Sequence, residues 1–199
     1  MKKSVVFNGI IVGEYESTGN LDEELSAVRS YLKEKGLWKP VSVNDSMFGQ
    51  ANAFAQTANL LYRRDFSRSP YKAPSMGPLV VNAVFSIEIY LKTIHEAYGN
   101  LRRGHHLLKL YDHLKDEPKN IILSAASDVR PRYKLSDDVT ILTCLKDLNH
   151  AFEKWRYLYE HERLTVEIHS VRFGMNTLFE ATSRVRERRS QTSAAPDGR

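Results

Sequence analysis

The feature of this sequence that most limits how it can fold is a long apolar segment between a proline and a glycine. Residues 79–98 read LVVNAVFSIEIYLKTIHEAY and lie between Pro78 and Gly99. Apolar side chains recur there every three or four residues, as on the buried face of an α-helix. Proline suits the start of a helix, and glycine suits its end. The segment therefore predicts a buried helix whose core positions are Val80, Val84, Ile87, Leu91, Ile94 and Tyr98.

Most of the remaining chain also carries helical patterns. The predicted helix at 21–35 begins with acidic residues and ends with lysines, which is the order that the helix dipole favours. Asn44, Asp45 or Ser46 can cap the next helix. Further helices are predicted at 21–35, from about 46 to 65, at 105–114, after Pro118, over the apolar stripe 138–161 and at 166–185. The fold class predicted is all-α, an antiparallel bundle of helices joined by short loops.

The two ends of the chain differ from this helical body. Residues 4–16 hold Asn8-Gly9 between two short apolar runs, a strong signal for a β-hairpin. We therefore predict an N-terminal hairpin and helix over 1–45 and a helical domain over 46–185. A disordered basic tail is predicted over 186–199, since polar and small residues dominate it.

Composition indicates an ordinary helical protein of the cytoplasm. The chain has 199 residues, of which 42% are hydrophobic, enough to bury a core without a metal or a disulfide. The single cysteine, Cys144, falls within an apolar stripe and is interpreted as a core residue. No uninterrupted apolar run approaches the roughly 20 residues that span a membrane. We expect a cytoplasmic protein with no membrane contact.

The formal net charge of +5 owes much to the segment SRVRERRS at 183–190. Such a basic segment can attract the phosphates of a nucleic acid by counterion release. It can also be a solvated, frayed helix end, and we favour that simpler interpretation.

Charged residues flank the apolar stripe on two of the predicted helices. Glu88 precedes Lys92 by one helical turn, the favoured order for an ion pair. Arg156 and Glu160 are also one turn apart, whereas a straight helix places His161 on the far side from them. If the two flanks face each other, Glu88 contacts Arg156 and Lys92 contacts Glu160. Such a network can fix the register of two packed helices.

Three blocks of sequence resemble a known family. FSIEIYLKTI at 85–94, RGHHLLKLYDHL at 103–114 and KWRYLYEH at 154–161 occur in that order. They are similar to the E-L-Y-L-K, G-H-D-L and R-Y-x-x-E motifs of one branch of bacterial HEPN (higher eukaryotes and prokaryotes nucleotide-binding) domains. The resemblance covers residues from about 46 to 185. It implies a helical bundle that forms a homodimer.

Many members of that family are metal-independent endoribonucleases of toxin–antitoxin or antiphage systems, with an arginine and a histidine four to six residues apart. Carried onto this chain, the motif is Arg156 to His161. The resemblance implies that His161 transfers a proton when the ribose 2′-hydroxyl attacks the phosphate. Arg156 would hold the phosphate and stabilise the transition state. Glu88, Lys92, His105, Tyr157 and Glu160 would position these groups or bind the ligand. No cofactor is implied.

A second interpretation stays open. Active members usually carry a small polar residue after the arginine, where this chain has Tyr157. Under this second interpretation the protein is a non-catalytic HEPN dimer that binds a partner protein, such as an antitoxin, or a nucleotide. In that case the charged cluster is structural, and only the position of His161 relative to Arg156 separates the two hypotheses.

The histidines of block 103–114 allow more than one role. His105 follows Gly104 and opens a helix, so we expect its ring to cap free N–H groups or to pack in the core. The alternative is that His105 faces the cluster around Glu88 and Arg156. The side chains of His105, His106, Asp112 and His113 are spread around a short helix, so no metal site is predicted.

Overall fold

The structure, a computed structural model, describes residues 1–38, 40–149, 154 and 166–194. The chain divides into two units, Met1–Ser42 and Val43–Arg199. The described part is mostly helical, with a single small hairpin near the N-terminus, so the expectation of a largely α fold is confirmed. The unit boundary lies three residues before the predicted one at 45.

The first unit is a hairpin with one helix. Strands β1, Lys2–Phe7, and β2, Ile10–Glu16, pair antiparallel, with Phe7 opposite Ile10. Asn8 and Gly9 make the turn with φ angles of 50° and 80°, the positive values that a tight hairpin turn requires. The predicted hairpin is thereby confirmed. Helix α1, Leu21–Glu34, follows, and the Asn20 side chain caps it by accepting from the Asp22 N–H.

Side chains of α1 hold the hairpin. The Tyr31 hydroxyl donates to the Val12 carbonyl oxygen at 2.8 Å. A Cβ atom added to Gly13 would lie 2.1 Å from the Tyr31 oxygen, so glycine at this position leaves the space that the ring occupies. Val5, 1% exposed, is the buried apolar side chain of the hairpin. A two-stranded hairpin alone is marginal in water, and its contacts with α1 supply the support that it needs.

The second unit contains six helices within its described ranges. They are α2, Val43–Asp65; α3, Met76–Ala97; α4, Leu107–Asp112; α5, Asp116–Val129; α6, Ile141–Leu148; and α7, Ile168–Ala194. Short 3₁₀ turns, Ala73–Ser75 and Arg130–Arg132, precede α3 and follow α5.

Helix α3 is the centre of the second unit and packs against α2, α4 and α7. Val80, Val84, Ile87, Leu91 and Ile94 are each at most 3% exposed, as the periodicity predicts, and Tyr98 is half-buried. Asn44, near the start of α2, donates to the carbonyl oxygen of Thr93 near the end of α3. Asp65, at the end of α2, accepts from Ser75 just before α3. Helices α2 and α3 are therefore antiparallel.

Helix α3 starts earlier than the sequence predicts, at Met76 instead of at Pro78. The physical reason is that the first four N–H groups of a helix have no partner within it, so a proline at the third position breaks no hydrogen bond. By its length and mean hydropathy alone, the segment Ala73–Ala97 could cross a membrane. The sequence analysis predicts no span, because it considers only uninterrupted apolar runs. In this structure 72% of its most apolar window is buried among the protein's own residues, as in the core helix of a globular domain.

The last two described helices bear on two predictions. Within α6, Ile141, Cys144, Leu145 and Leu148 are buried, which confirms the start of the predicted stripe. Cys144 is 2% exposed and is therefore a core residue as expected, and this burial raises the pKa of its thiol to about 12. Helix α7 continues to Ala194, so residues 186–194 are helical where the sequence predicts a disordered tail. The reason is tertiary, because side chains near the end of α7 bind α2 and α5, as described below.

Candidate functional site

A buried carboxylate on α3 organises the candidate site. Glu88 is 4% exposed, and the two neighbouring core residues, Ile87 and Leu91, fix the face of α3 on which it lies. Lys92 Nζ donates to Glu88 Oε1 at 2.7 Å, which is the one-turn ion pair that the sequence predicts. A buried carboxylate is costly unless it is paired, and Lys92 supplies that pairing from within the same helix.

His105 brings the loop between α3 and α4 to the same carboxylate. Its Nδ1 lies 3.0 Å from Glu88 Oε1, while 79% of the side chain is exposed. Gly104, with a φ of 101°, makes the turn immediately before it. The expected capping or core role of His105 is therefore wrong, because the ring pairs with Glu88 at the surface. His106 is the residue that caps α4, by accepting from the Lys109 N–H.

The arrangement of this Glu88 cluster (Glu88, Lys92 and His105) has chemical consequences. A carboxylate only accepts hydrogen bonds, so Nδ1 of His105 carries the proton that faces Glu88. In the neutral ring Nε2 is then the nitrogen that can accept a proton. A carboxylate that orients an exposed imidazole in this way is the arrangement that supports general base catalysis. The cluster can thus hold and orient a proton acceptor at the protein surface.

Beside His105 lies a pocket of about 270 Å³, here called the α4 pocket. Among the described residues, its lining consists of Arg102, Arg103, Gly104, His105, His106, Lys109, Leu110 and His113. None of these is a carboxylate, and three carry a permanent positive charge. The pocket is an electropositive surface next to the Glu88 cluster.

A buried histidine on α3 fixes the position of α4, and with it the position of the pocket. His95, 2% exposed, donates from Nε2 to the Leu110 carbonyl oxygen at 2.8 Å. This hydrogen bond joins α3 to α4. Burial lowers the pKa of His95, so its ring is a neutral part of the core. Leu107 and Leu110, both buried, hold the other side of this short helix against the core.

Other predicted site residues lie outside the described part of the chain. These are Arg156, Tyr157, Glu160 and His161, together with the rest of 150–153 and 155–161 in the predicted stripe 138–161. Their predicted contacts with Glu88 and Lys92, and the direction of the His161 ring, stay predictions. What the structure brings together is Glu88, Lys92 and His105, which come from two separate sequence blocks.

The arginines of segment 183–190 hold α7 in place. Arg184 pairs with Asp128 at 2.9 Å and with Glu180 at 2.9 Å. Arg186 pairs with Asp45 at 2.5 Å, and its guanidinium lies 4.3 Å from the ring centre of Phe48. These contacts join α7 to α5 and α2. The expectation of a solvated, frayed end is therefore wrong for both side chains, and neither is available without breaking an ion pair.

The electropositive pocket is what the sequence reasoning misses. Its signal is present in the printed sequence, because residues 102–113, RRGHHLLKLYDH, place six basic or imidazole side chains in twelve positions. Periodicity assigns these side chains to different faces of a short helix. Only the folded loop shows that several of them line one pocket.

Within the described ranges, no three His, Cys, Asp or Glu side chains are grouped so as to hold a metal ion.

Comparisons with known proteins add no relative to this description. No protein-family model, no curated protein and no solved structure matches the chain. The resemblance to HEPN domains therefore stays a prediction that depends on the three sequence blocks.

Proposed function

We propose that this protein is a HEPN-type, metal-independent endoribonuclease that cleaves RNA as a homodimer in a bacterial toxin–antitoxin or antiphage system. The observation that carries the proposal is the meeting of two sequence blocks at one carboxylate. Glu88 from the first block binds His105 from the second at 3.0 Å. Residues 17 positions apart are thus joined into one polar cluster at the surface, where a ligand can reach it.

In the proposed reaction the ribose 2′-hydroxyl attacks the adjacent phosphate, and the bond from phosphorus to the 5′-oxygen breaks. His161 takes the hydroxyl proton or protonates the leaving oxygen. Arg156 binds the phosphate and stabilises the charge of the transition state. Glu88, Lys92, His105, Tyr157 and Glu160 position these groups. The reaction needs no metal ion, and the RNA is the only ligand. The proposed location is the cytoplasm, where RNA and any antitoxin partner meet the protein.

The test is cleavage of a single-stranded RNA in EDTA by the wild type and by His161→Ala. Loss of a general acid or base lowers the rate by about 10²- to 10⁴-fold. His169→Ala is the matched control, because His169 contacts the Tyr133 ring and makes none of the hydrogen bonds of the Glu88 cluster. We expect the control to cleave RNA at the wild-type rate. Equal rates for the wild type and His161→Ala would refute the nuclease.

A second candidate function rests on the same cluster. Glu88 is already paired with Lys92 inside its own helix, and only 6% of its side chain is exposed. This observation favours a non-catalytic HEPN dimer in which the cluster is structural and the surface binds a partner protein or a nucleotide. In that protein Arg156→Ala lowers the melting temperature, since an acidic partner is left unpaired, and His161→Ala has no effect. If Arg156→Ala abolishes cleavage at an unchanged melting temperature, this candidate is excluded.

A further inference from the structure

The α4 pocket has the composition of an anion site. The guanidinium groups of Arg102 and Arg103 and the ammonium of Lys109 belong to exposed residues that line it. No carboxylate is among its described lining residues. His113 contributes a ring whose Nδ1 donates to the Lys109 carbonyl oxygen, which holds this imidazole at the pocket wall.

Phosphate is the anion that this lining suits best. Arginine forms paired hydrogen bonds with phosphate oxygens, and lysine adds a point charge. The loop before α4 carries two adjacent arginines, and α4 itself supplies the lysine. Three cationic residues from two elements therefore line a volume of about 270 Å³.

The lining also indicates where the phosphate comes from. Three histidine imidazoles are among its described residues, and Leu110 is the single aliphatic one. Cations hold the phosphates of a single-stranded nucleic acid, and imidazole or guanidinium planes can stack on its unpaired bases. The lining therefore offers both kinds of group that bind a single-stranded nucleic acid, cations for its phosphates and flat rings for its bases.

We propose that the α4 pocket binds a backbone phosphate of single-stranded RNA through Arg102, Arg103 and Lys109. The inference takes from the proposed function only that the nucleic acid is RNA. Since His105 lines the pocket and also binds Glu88, a strand held there passes beside the Glu88 cluster. The pocket thus defines the direction from which the substrate enters the candidate site.

The experiment measures RNA binding without cleavage. Every protein carries His161→Ala in the full chain, and fluorescence anisotropy follows a short, unstructured, fluorescein-labelled RNA at several salt concentrations. Arg102→Gln/Arg103→Gln removes two charges from the pocket. Arg63→Gln/Arg68→Gln removes the same two charges from exposed positions at the end of α2 and in the loop after it. Lys109→Gln is the single variant.

We expect the pocket double variant to bind RNA more weakly than the parent. The slope of log affinity against log salt should fall by about 1.4, or about 0.7 for each lost phosphate contact, and by about 0.7 for Lys109→Gln. The control double variant should keep the parent slope. All variants should keep the parent circular dichroism spectrum, because the changed side chains are exposed.

Equal slopes for the parent and the pocket variants would overturn the proposal, as would an equal loss in the control. No RNA binding by the parent would also overturn it. Displacement of the labelled RNA by ATP at a lower concentration than by unlabelled RNA would identify a nucleotide site instead. A nuclease test that fails while the pocket variants still lose RNA affinity would refute the proposed function and leave this inference standing.

Discussion

Each of three buried carboxylates is stabilised by several donors. Glu24 in α1 accepts from Lys3 at 2.9 Å, from Tyr15 and Gly19 at 3.1 Å and from Ser17. Asp65 and Glu88 are held similarly by cations near them in sequence. Donors satisfy a buried negative charge in each case, which removes most of the cost of burial. Glu88 differs in that one of its donors, His105, is largely exposed.

Glu24 gives the first unit a defined response to acid. The hydrogen bonds from Lys3 and Ser17 lower the pKa of the Glu24 carboxyl from 4.5 to about 2. The pKa in the folded state is therefore below that in the unfolded state. The stabilisation is complete above pH 4.5 and is lost as the pH falls towards 2.

The prediction is that hairpin amide signals of the wild type lose dispersion between pH 4.5 and about 2 in NMR spectra. Glu24→Gln should destabilise the hairpin at neutral pH and show a weaker response to acid, because its side chain cannot titrate. Glu23→Gln changes an exposed neighbour and should keep the wild-type acid response. An unchanged acid response in Glu24→Gln would show that other groups control it.

At the scale of elements, the end of α7 shows how tertiary contacts extend a helix. Composition predicts disorder from residue 186, yet α7 reaches Ala194. Val185 is 1% exposed, and Arg186 binds the Asn44 carbonyl oxygen as well as Asp45. Ordering these residues costs chain entropy, and buried apolar area plus charged hydrogen bonds offset that cost. The arginines of the basic segment thus hold α7 against α2 and α5.

Replacing Arg186 tests whether this side chain stabilises the packing of α7 on α2. Arg186→Ala removes an ion pair and a cation–π contact at a side chain that is 25% exposed. We expect the free energy of unfolding to fall by about 1–2 kcal/mol, measured by urea titration. Amide hydrogen exchange should quicken in the last turns of α7. Arg189→Ala, at an exposed position of the same helix, should leave both unchanged. Equal effects of the two substitutions would contradict this role.

At the scale of the whole molecule, α3 is the helix on which three other helices of the second unit pack. It contacts α2, α4 and α7, and Leu91 near its middle is 0% exposed. Interiors are packed as densely as organic crystals, so a cavity at this position cannot be filled without moving several helices. The Glu88 cluster lies one turn from Leu91 on the same helix, so the geometry of the candidate site depends on this packing.

Leu91→Ala should therefore destabilise the second unit by about 2–5 kcal/mol. Leu91→Met keeps most of the volume and should cost less than about 1.5 kcal/mol. Urea unfolding followed by circular dichroism measures both. A cost for Leu91→Ala below that of Leu91→Met would show that Leu91 does not lie in a packed core.

Helical periodicity was sufficient to locate the main helices and much of the core. The spacing of Val80, Val84, Ile87, Leu91 and Ile94 alone predicts the buried face of α3. The same holds for the Glu88–Lys92 pair, because residues one turn apart are neighbours on any helix. Asn8-Gly9 predicts the hairpin for an equally local reason, since few residue pairs tolerate two positive φ angles.

What depended on distant parts of the chain was decided only by the tertiary structure. The loop after α3 brings His105 to Glu88 and leaves His106 to cap α4, although the two histidines are adjacent in sequence. The α4 pocket and the binding of Arg186 to α2 have the same origin. Sequence patterns encode neighbours within a few residues, because helices and turns repeat over that distance. Contacts between distant segments follow from how whole elements pack, and no local pattern specifies them.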